Sequence, residues 1–325
     1  MTAPKPRHGG TPPKKYLTGT FNRLAVTFDK SFDTNHKNMK KALYLMALLF
    51  CTATTQAQTL EEVVNRFIEA SGGMERLKAI KSLQVESTLN MAQFGSQPEM
   101  HVIRVKDSLF RIQSGSPMGG DDSYTLINDT VGYVFIPTMR GPGGGMEASL
   151  TRMTPEEVAA QQYQKDCSGY FGPLVDYQTK GHTAVLSGKQ KVGDVECDKV
   201  TLTLKTGQEF TYFIAPNGQV KRVQMPALVA LETMGMSGMA KMFGNNKRDA
   251  GRKIEINYEK YKIFDGYPMP TKQTISLGMM NIEINNYNIS INKPVDPKYL
   301  KVTGPSKNSD ASQQDGMAPP QGGGF

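Results

Sequence analysis

Residues 225–253 hold the least ordinary set of side chains in this 325-residue chain. Met225, Leu228, Leu231, Met234, Met236, Met239, Met242 and Phe243 form a soft apolar run. Gly235 and Gly238 interrupt it and weaken helix there. Lys241, Lys247, Arg248, Arg252 and Lys253 follow, opposed only by Asp249. Methionine is flexible and polarisable and adapts to irregular partners. An apolar stretch beside a basic cluster suits an acyl chain with an anionic head group, or a membrane surface. It equally suits a core in which the methionines plug a sheet and the basic residues form a solvated turn. Both readings stay open at this point.

Reaction chemistry has little to work with. His101 and His182 are the histidines after residue 57, and neither belongs to an H-E-x-x-H or H-x-x-E-H zinc motif. Gly235-Met236-Ser237-Gly238-Met239 lacks the final glycine of a nucleophile elbow. Gly141-Pro142-Gly143-Gly144-Gly145 lacks the Gly-Lys-Ser/Thr ending of a phosphate loop and reads as a hairpin loop. Asp121-Asp122 has no further carboxylates at cation-binding spacing. No enzyme activity, metal or cofactor is expected.

The elements that position the 225–253 stretch begin with an internal export signal. Residues 39–58 read MKKALYLMALLFCTATTQAQ, with two lysines, a twelve-residue apolar run from Ala42 to Ala53, and a Thr55-x-Ala57 cleavage pattern. A membrane span needs about 20 apolar residues, so this run is too short to cross. Phe50 before Cys51 does not suit a lipid-attachment site. Residues 1–38 read as a disordered extension or a misassigned start, residues 39–57 as the signal, 58–303 as one domain and 304–325 as a disordered Ser/Gln/Pro/Gly tail.

This division changes the charge argument. The whole chain is +8, but residues 1–57 hold nine Lys/Arg and two Asp/Glu. Residues 58–325 then carry 29 basic and 28 acidic side chains, close to neutral, so no nucleic-acid partner is expected. Two cysteines, Cys167 and Cys197, remain in an exported chain, and a disulfide between them is expected.

Thr59-Leu60-Glu61-Glu62 is a capping box that opens a helix with an apolar stripe of Leu60, Val63, Val64, Phe67 and Ile68, stopped by Gly72-Gly73. A second short helix is expected over 74–80, and a third of about ten residues after Thr154-Pro155-Glu156-Glu157. From Ser82 the period becomes two, with strand runs at 99–106, 108–113, 123–128, 131–136 and 183–192, then around 200–205, 210–214 and 219–225. Asn217-Gly218 suits a two-residue hairpin. Three long strands, 252–264, 270–279 and 281–291, close the domain, with a phase change at Asn285-Asn286 that suits a bulge. The sum is a mainly β, α+β chain with a large antiparallel sheet in hairpin order and one apolar face. A sheet of about ten strands curls.

The stretches TLEEVVNRFIEASGGMERLKAIKSLQVESTLNM and KVGDVECDKVTLTLKTGQEFTYFIAPNGQVKRVQ resemble the opening helix and core hairpins of the LolA-like superfamily, over about residues 58–295. These are lipoprotein carriers and periplasmic lipid-binding relatives. The resemblance implies an unclosed half-barrel with helices covering its concave face. It also implies a periplasmic, non-enzymatic protein whose partners are lipid or lipoprotein acyl chains. The longer chain and the methionine-rich insertion depart from the dedicated carrier. A protein-interaction module of the cell envelope, a peptidase accessory or envelope sensor meeting inner- or outer-membrane proteins without a lipid ligand, is the alternative.

In the binding reading, an acyl chain lies on apolar strand residues Leu83, Val85, Ile254, Ile256 and Ile284. Leu228, Leu231, Met234, Met239 and Met242 form a lid, and Lys247, Arg248, Arg252 and Lys253 form a head-group rim. Burial is worth about 0.8 kcal/mol per methylene. An elongated pocket on the order of 300–1,000 Å³ is expected.

Overall fold

The computed structural model describes residues 58–91, 95, 97–116, 121–141, 144–237, 252–277 and 280–304. The signal, the 1–38 extension, residues 305–325, and Met239, Met242, Lys247 and Arg248 lie outside the described residues.

Thirteen antiparallel strands make one sheet that does not close, an open half-barrel. In chain order its first half contains β1 (Ser82–Asn90), β2 (Glu99–Val105), β3 (Leu109–Ser114), β4 (Ser123–Asn128) and β5 (Val131–Ile136). The short pair β6 (Met139–Gly141) and β7 (Gly144–Met146) stands apart as its own hairpin before β8 (Ser149–Arg152). The second half contains β9 (Thr183–Val192), β10 (Val195–Thr203), β11 (Glu209–Ile214), β12 (Val220–Pro226), β13 (Lys253–Phe264), β14 (Tyr267–Leu277) and β15 (Met280–Ile291). Hairpin order holds within each half. The halves join where β1 pairs with β15, with Leu83 opposite Ile291 and Leu89 opposite Ile284. Strands β8 and β9 are therefore the two edges.

Helix α1 (Leu60–Ala70) is capped as its sequence requires: Glu62 N–H donates to Thr59 Oγ1 at 3.2 Å and Thr59 N–H donates to Glu62 Oε2 at 2.9 Å. Such a cap stabilises by about 1 kcal/mol. Val63, Val64, Phe67 and Ile68 are buried against the sheet, each worth roughly 1.5–3 kcal/mol of transfer free energy. Arg66 of α1 meets Asp198 of β10 at 2.6 Å. Helix α2 (Met74–Lys78) ends two residues earlier than its pattern suggested.

The Asn217-Gly218 turn holds three residues rather than two. Ala215 N–H donates to Gln219 O at 2.9 Å, and a register shift between Phe213 and Ile214 accommodates the extra residue. Gly218 has φ 81°, and a Cβ there would lie 2.5 Å from Ala70 Cβ of α1 and against Arg66 O. Only glycine lets the turn and the helix approach so closely.

Residues 153–182, between the two edge strands, help to fill the helix-covered, inner face together with α1 and the chain after β12. Helix α3 (Pro155–Gln161) is shorter than expected. Irregular chain and short 3₁₀ turns then bury Cys167, Phe171, Leu174 and Val175 in the main core. The part of this plug after α3 has no periodic signature, because its residues point inward from turns rather than from one helix face.

The sheet is apolar on both faces, not one. Ile103, Leu109, Tyr124, Leu126 and Phe135 form a second cluster, which Val295 and Tyr299 cover. The chain after β15 is fastened over it, with Tyr124 Oη donating to Thr303 O at 2.6 Å and Arg111 Nη1 donating to Lys301 O at 3.0 Å. The expected disulfide is not formed. Cys167 and Cys197 are both free and buried. Cys167 lies in the main core, where its thiol donates to Ile80 O at 3.2 Å, whereas Cys197 lies in a separate cluster with Phe213 and Ala215.

Candidate functional site

Apolar alternation along β1, β12, β13 and β15 turns Leu83, Val85, Val223, Ile256 and Ile284 to the inner face, where they line a cavity of about 110 Å³. Ile254 is buried in the same core but is not on the cavity wall. The volume falls well below the expected 300–1,000 Å³, because Tyr163, Tyr170 and Phe171 of the plug stand in the concavity. It is smaller than the roughly 150 Å³ that encloses a benzene ring.

The roof is a strap formed by α4 (Ala227–Thr233) and the residues after it. Strap residues Leu231 and Met234 are buried and Leu228 packs on the core; of these three expected lid residues, Met234 alone is on the cavity wall. The strap starts at β12 and reaches β4, where Ser237 Oγ and Thr125 Oγ1 share a hydrogen bond at 2.8 Å. Ser123 Oγ donates to Gly235 O at 3.4 Å beside it. Pro226 starts the helix and Gly235, with φ 71°, ends it. Gly235 rests on Ile112 and Ser114, with room for no side chain without displacement.

Two polar tethers hold the far end of this roof, and buried Ala230, Leu231 and Met234 anchor its middle in the main core. Of the expected rim, Arg252 and Lys253 stand exposed at the foot of the strap, where Ala227 N–H donates to Arg252 O at 2.8 Å. Lys253 Nζ is paired with Glu209 at 3.5 Å.

The cavity has a polar end that sequence reading missed. Arg104 and Gln164 line it, and both Arg104 Nε and Gln164 Oε1 are buried with no hydrogen-bond partner among the described residues. Unsatisfied buried polar atoms are rare and costly. Arg104 sits in the run Val102-Ile103-Arg104-Val105, where strict alternation places it on the same face as Val102. That inward cation was the available signal. A second polar group crosses the cavity wall. Tyr170 Oη accepts from Gln273 Nε2 at 2.6 Å and from Asn286 Nδ2 at 3.1 Å. Asn286 is inward in phase with Ile282 and Ile284, and the bulge between β1 and β15 then skips Tyr287, leaving that ring 51% exposed and turning Ile289 inward. Tyr287 therefore does not share the inner face with Ile284 and Ile289.

Next to the polar end opens a larger cleft of about 580 Å³, with Tyr163 and Asp166 on the wall common to both spaces. Lysines dominate its lining. His182, also on this wall, accepts from Lys205 N–H through Nδ1 at 3.2 Å, and burial holds its pKa below the usual imidazole value. Glu232 of α4 is held up to about 7, chiefly by burial and further by the Glu157 charge. Among the described residues, no group of three or more His, Cys, Asp or Glu could hold a metal ion. Among them no helix is long and apolar enough to cross a membrane.

No family model matches the chain, and no curated protein matches it. The fold resembles that of LolA-like proteins. A LolA superfamily protein from Nitrosomonas europaea is 12% identical, with 75% of this chain and 99% of that chain covered at a TM-score of 0.45. An outer membrane lipoprotein-sorting protein domain from Vibrio parahaemolyticus is 8% identical, with 73% and 94% covered at a TM-score of 0.42. The lipoprotein LppX of Mycobacterium tuberculosis is 12% identical, with 73% and 99% covered at 0.27. At these identities and scores the likeness concerns the path of the chain, and no role passes through it.

Proposed function

We propose that this protein is an exported, non-enzymatic binder or carrier of an acyl chain, which enters the inner cavity of the half-barrel under the α4 strap. The observation that carries the reading is the cavity itself. Its walls combine apolar strand residues with plug aromatics and a few polar groups, Asp166 and Gln273 among them, and Arg104 Nε and Gln164 Oε1 stand there without partners. An amphiphile supplies what both parts lack, methylenes along the walls and an ester or carboxylate oxygen for the guanidinium. The closed volume of about 110 Å³ requires the strap and plug to move before a chain is taken up. Methionine side chains such as Met225 and Met234 repack at little cost during that movement. The export signal at 39–57 supports a periplasmic setting.

The same small volume favours the second reading, an envelope interaction module whose interior is filled by its own side chains. Titration of the full chain with a fluorescent fatty acid separates the two. Saturable binding is expected, weakened about tenfold, or 1.4 kcal/mol, by Val102→Phe, which fills the cavity. Absence of binding, with no lipid co-purifying in native mass spectrometry, would leave the interaction module standing.

A further inference from the structure

The lysine-lined cleft beside the cavity has more positive charge than its own carboxylates can answer. Five lysines and three aspartates line it. Lys180 Nζ is paired with Asp166 at 2.7 Å and Lys78 Nζ with Asp176 at 2.6 Å. Lys106, Lys165 and Lys205 have no carboxylate within ion-pair distance among the described residues, and one aspartate, Asp107, remains beside them. Lys165 is the telling member. Its side chain is only 5% exposed, and its ammonium touches nothing anionic, donating to the backbone carbonyls of Asp107 and Asp129 at 3.3 Å each. An ammonium has three donors, so one is unspent. The Asp107 and Asp129 charges favour the ammonium from a distance but neither pairs with it directly, which leaves a buried cation that a bound anion would complete. Burial holds the pKa of Lys165 below the usual lysine value, the direction that an incoming anion reverses.

We propose that this cleft binds a phosphate group, and that the phosphate is the head of the amphiphile whose chain lies in the inner cavity. The inference rests on the acyl-binding reading and names its ligand class, a phosphate-headed lipid. The lining's net charge of +2 matches a phosphate monoester, which carries about −1.5 to −2 at neutral pH. Lysines, as compact point charges on flexible stems, suit a tetrahedral oxyanion approached from several sides. The two spaces are neighbours that share Tyr163 and Asp166 as a common wall, so the proposed ligand reaches from one to the other only when that wall moves. The volume of about 580 Å³ leaves room for the head group and its water.

The experiment is calorimetric titration of the full chain, at one salt concentration, with three probes. These are a lysophosphatidate, a monoacylglycerol of the same chain length, and inorganic phosphate. The phosphate-headed lipid is expected to bind about tenfold more tightly than the neutral one. Lys165→Met and Lys205→Gln are each expected to shrink that ratio by about threefold or more while leaving the neutral lipid's affinity unchanged. Lys205 is exposed, so its variant carries the test if the buried Lys165→Met fails to fold. Equal binding of the two lipids overturns the inference and leaves acyl binding intact, whereas binding of neither removes both. Inorganic phosphate bound through the lysines, with no preference for the phosphate-headed lipid, also overturns it, since the anion site would then be unconnected to the cavity.

Discussion

The Asn286 amide nitrogen donates to the phenol oxygen of Tyr170 at 3.1 Å, which ties strand β15 to the plug inside the half-barrel. Asn286 is itself held by Ser87, whose hydroxyl donates to Asn286 Oδ1 at 2.7 Å, and by Pro270 O, which accepts from Nδ2 at 2.8 Å. The network puts a fixed polar patch on an otherwise apolar wall, and it joins the two halves of the sheet at the place where β1 meets β15.

Tyr170→Phe removes the shared acceptor of Gln273 and Asn286. Both amides keep one other contact, to each other or to Pro270. The loss is therefore expected near the lower end of the range for a buried, broken hydrogen bond, about 1–2 kcal/mol. Urea unfolding measures it. Tyr287→Phe, on the exposed ring, serves as the matched control and is expected to leave the midpoint unchanged.

Strap docking is expected to depend on pH through Glu232. Its folded pKa of about 7 lies above the ordinary value of 4.5, so the folded state holds the proton more tightly. Its contribution is therefore complete below about pH 4.5 and is lost as pH rises toward 7. Glu232→Gln removes that slope. Relative to wild type, the variant is expected to gain stability between pH 5 and 8. The gain is on the order of 2 kcal/mol, below the full linkage value because the side chain is partly exposed. Denaturation midpoints that run parallel across this range would contradict it.

Gly218→Ala puts a methyl against Arg66 O and Ala70 of α1 at a φ of 81°. Destabilisation of more than about 1 kcal/mol is expected, from the left-handed backbone and the clash together. Gly207→Ala has a similar φ of 88° but meets nothing within 4 Å. The difference between the two variants, read by thermal unfolding, isolates the packing of α1 on the turn.

Cys167 and Cys197 are expected to resist alkylation in the folded protein and to react once urea exposes them. Burial pushes the Cys167 thiol up to about 11 and raises Cys197 as well, so neither presents appreciable thiolate at pH 8. Mass spectrometry after iodoacetamide under native and denaturing conditions reads both. A Cys167–Cys197 cross-linked peptide in protein handled without reductant would refute the separation seen here.

The strap is expected to gate uptake. Replacing Thr125 and Ser237, whose hydroxyl oxygens are 2.8 Å apart, by cysteines gives a pair able to lock the far end of the strap to β4. Oxidation is expected to abolish fatty-acid binding, and reduction to restore it. Equal binding in both states would mean that the cavity fills by another route.

What the sequence by itself determined is local. The Thr59 and Thr154 caps form as read, because each is a hydrogen bond between residues three apart. The period-two runs from Ser82 onward became strands, since alternation decides which side chains share a face. Leu83, Val85, Ile256 and Ile284 reach the inner cavity for that reason.

The tertiary structure decided what depends on contacts far apart in the chain. The pairing of β1 with β15 joins residues about 200 positions apart, a choice no short window contains. The Tyr287 bulge follows from that pairing and resets the phase so that Ile289 and Ile291 rejoin the inner wall. The part of the plug after α3, residues 162–182, has neither helical nor strand period, so its role emerges only when the sheet surrounds it. Arg104 could be assigned to the inner face from alternation. That its Nε would be left without a partner, beside a cleft that gathers lysines from five separate places in the chain, depends on how those distant segments pack. Propensity and periodicity act over a few residues, whereas burial and unmet charge are properties of the assembled core.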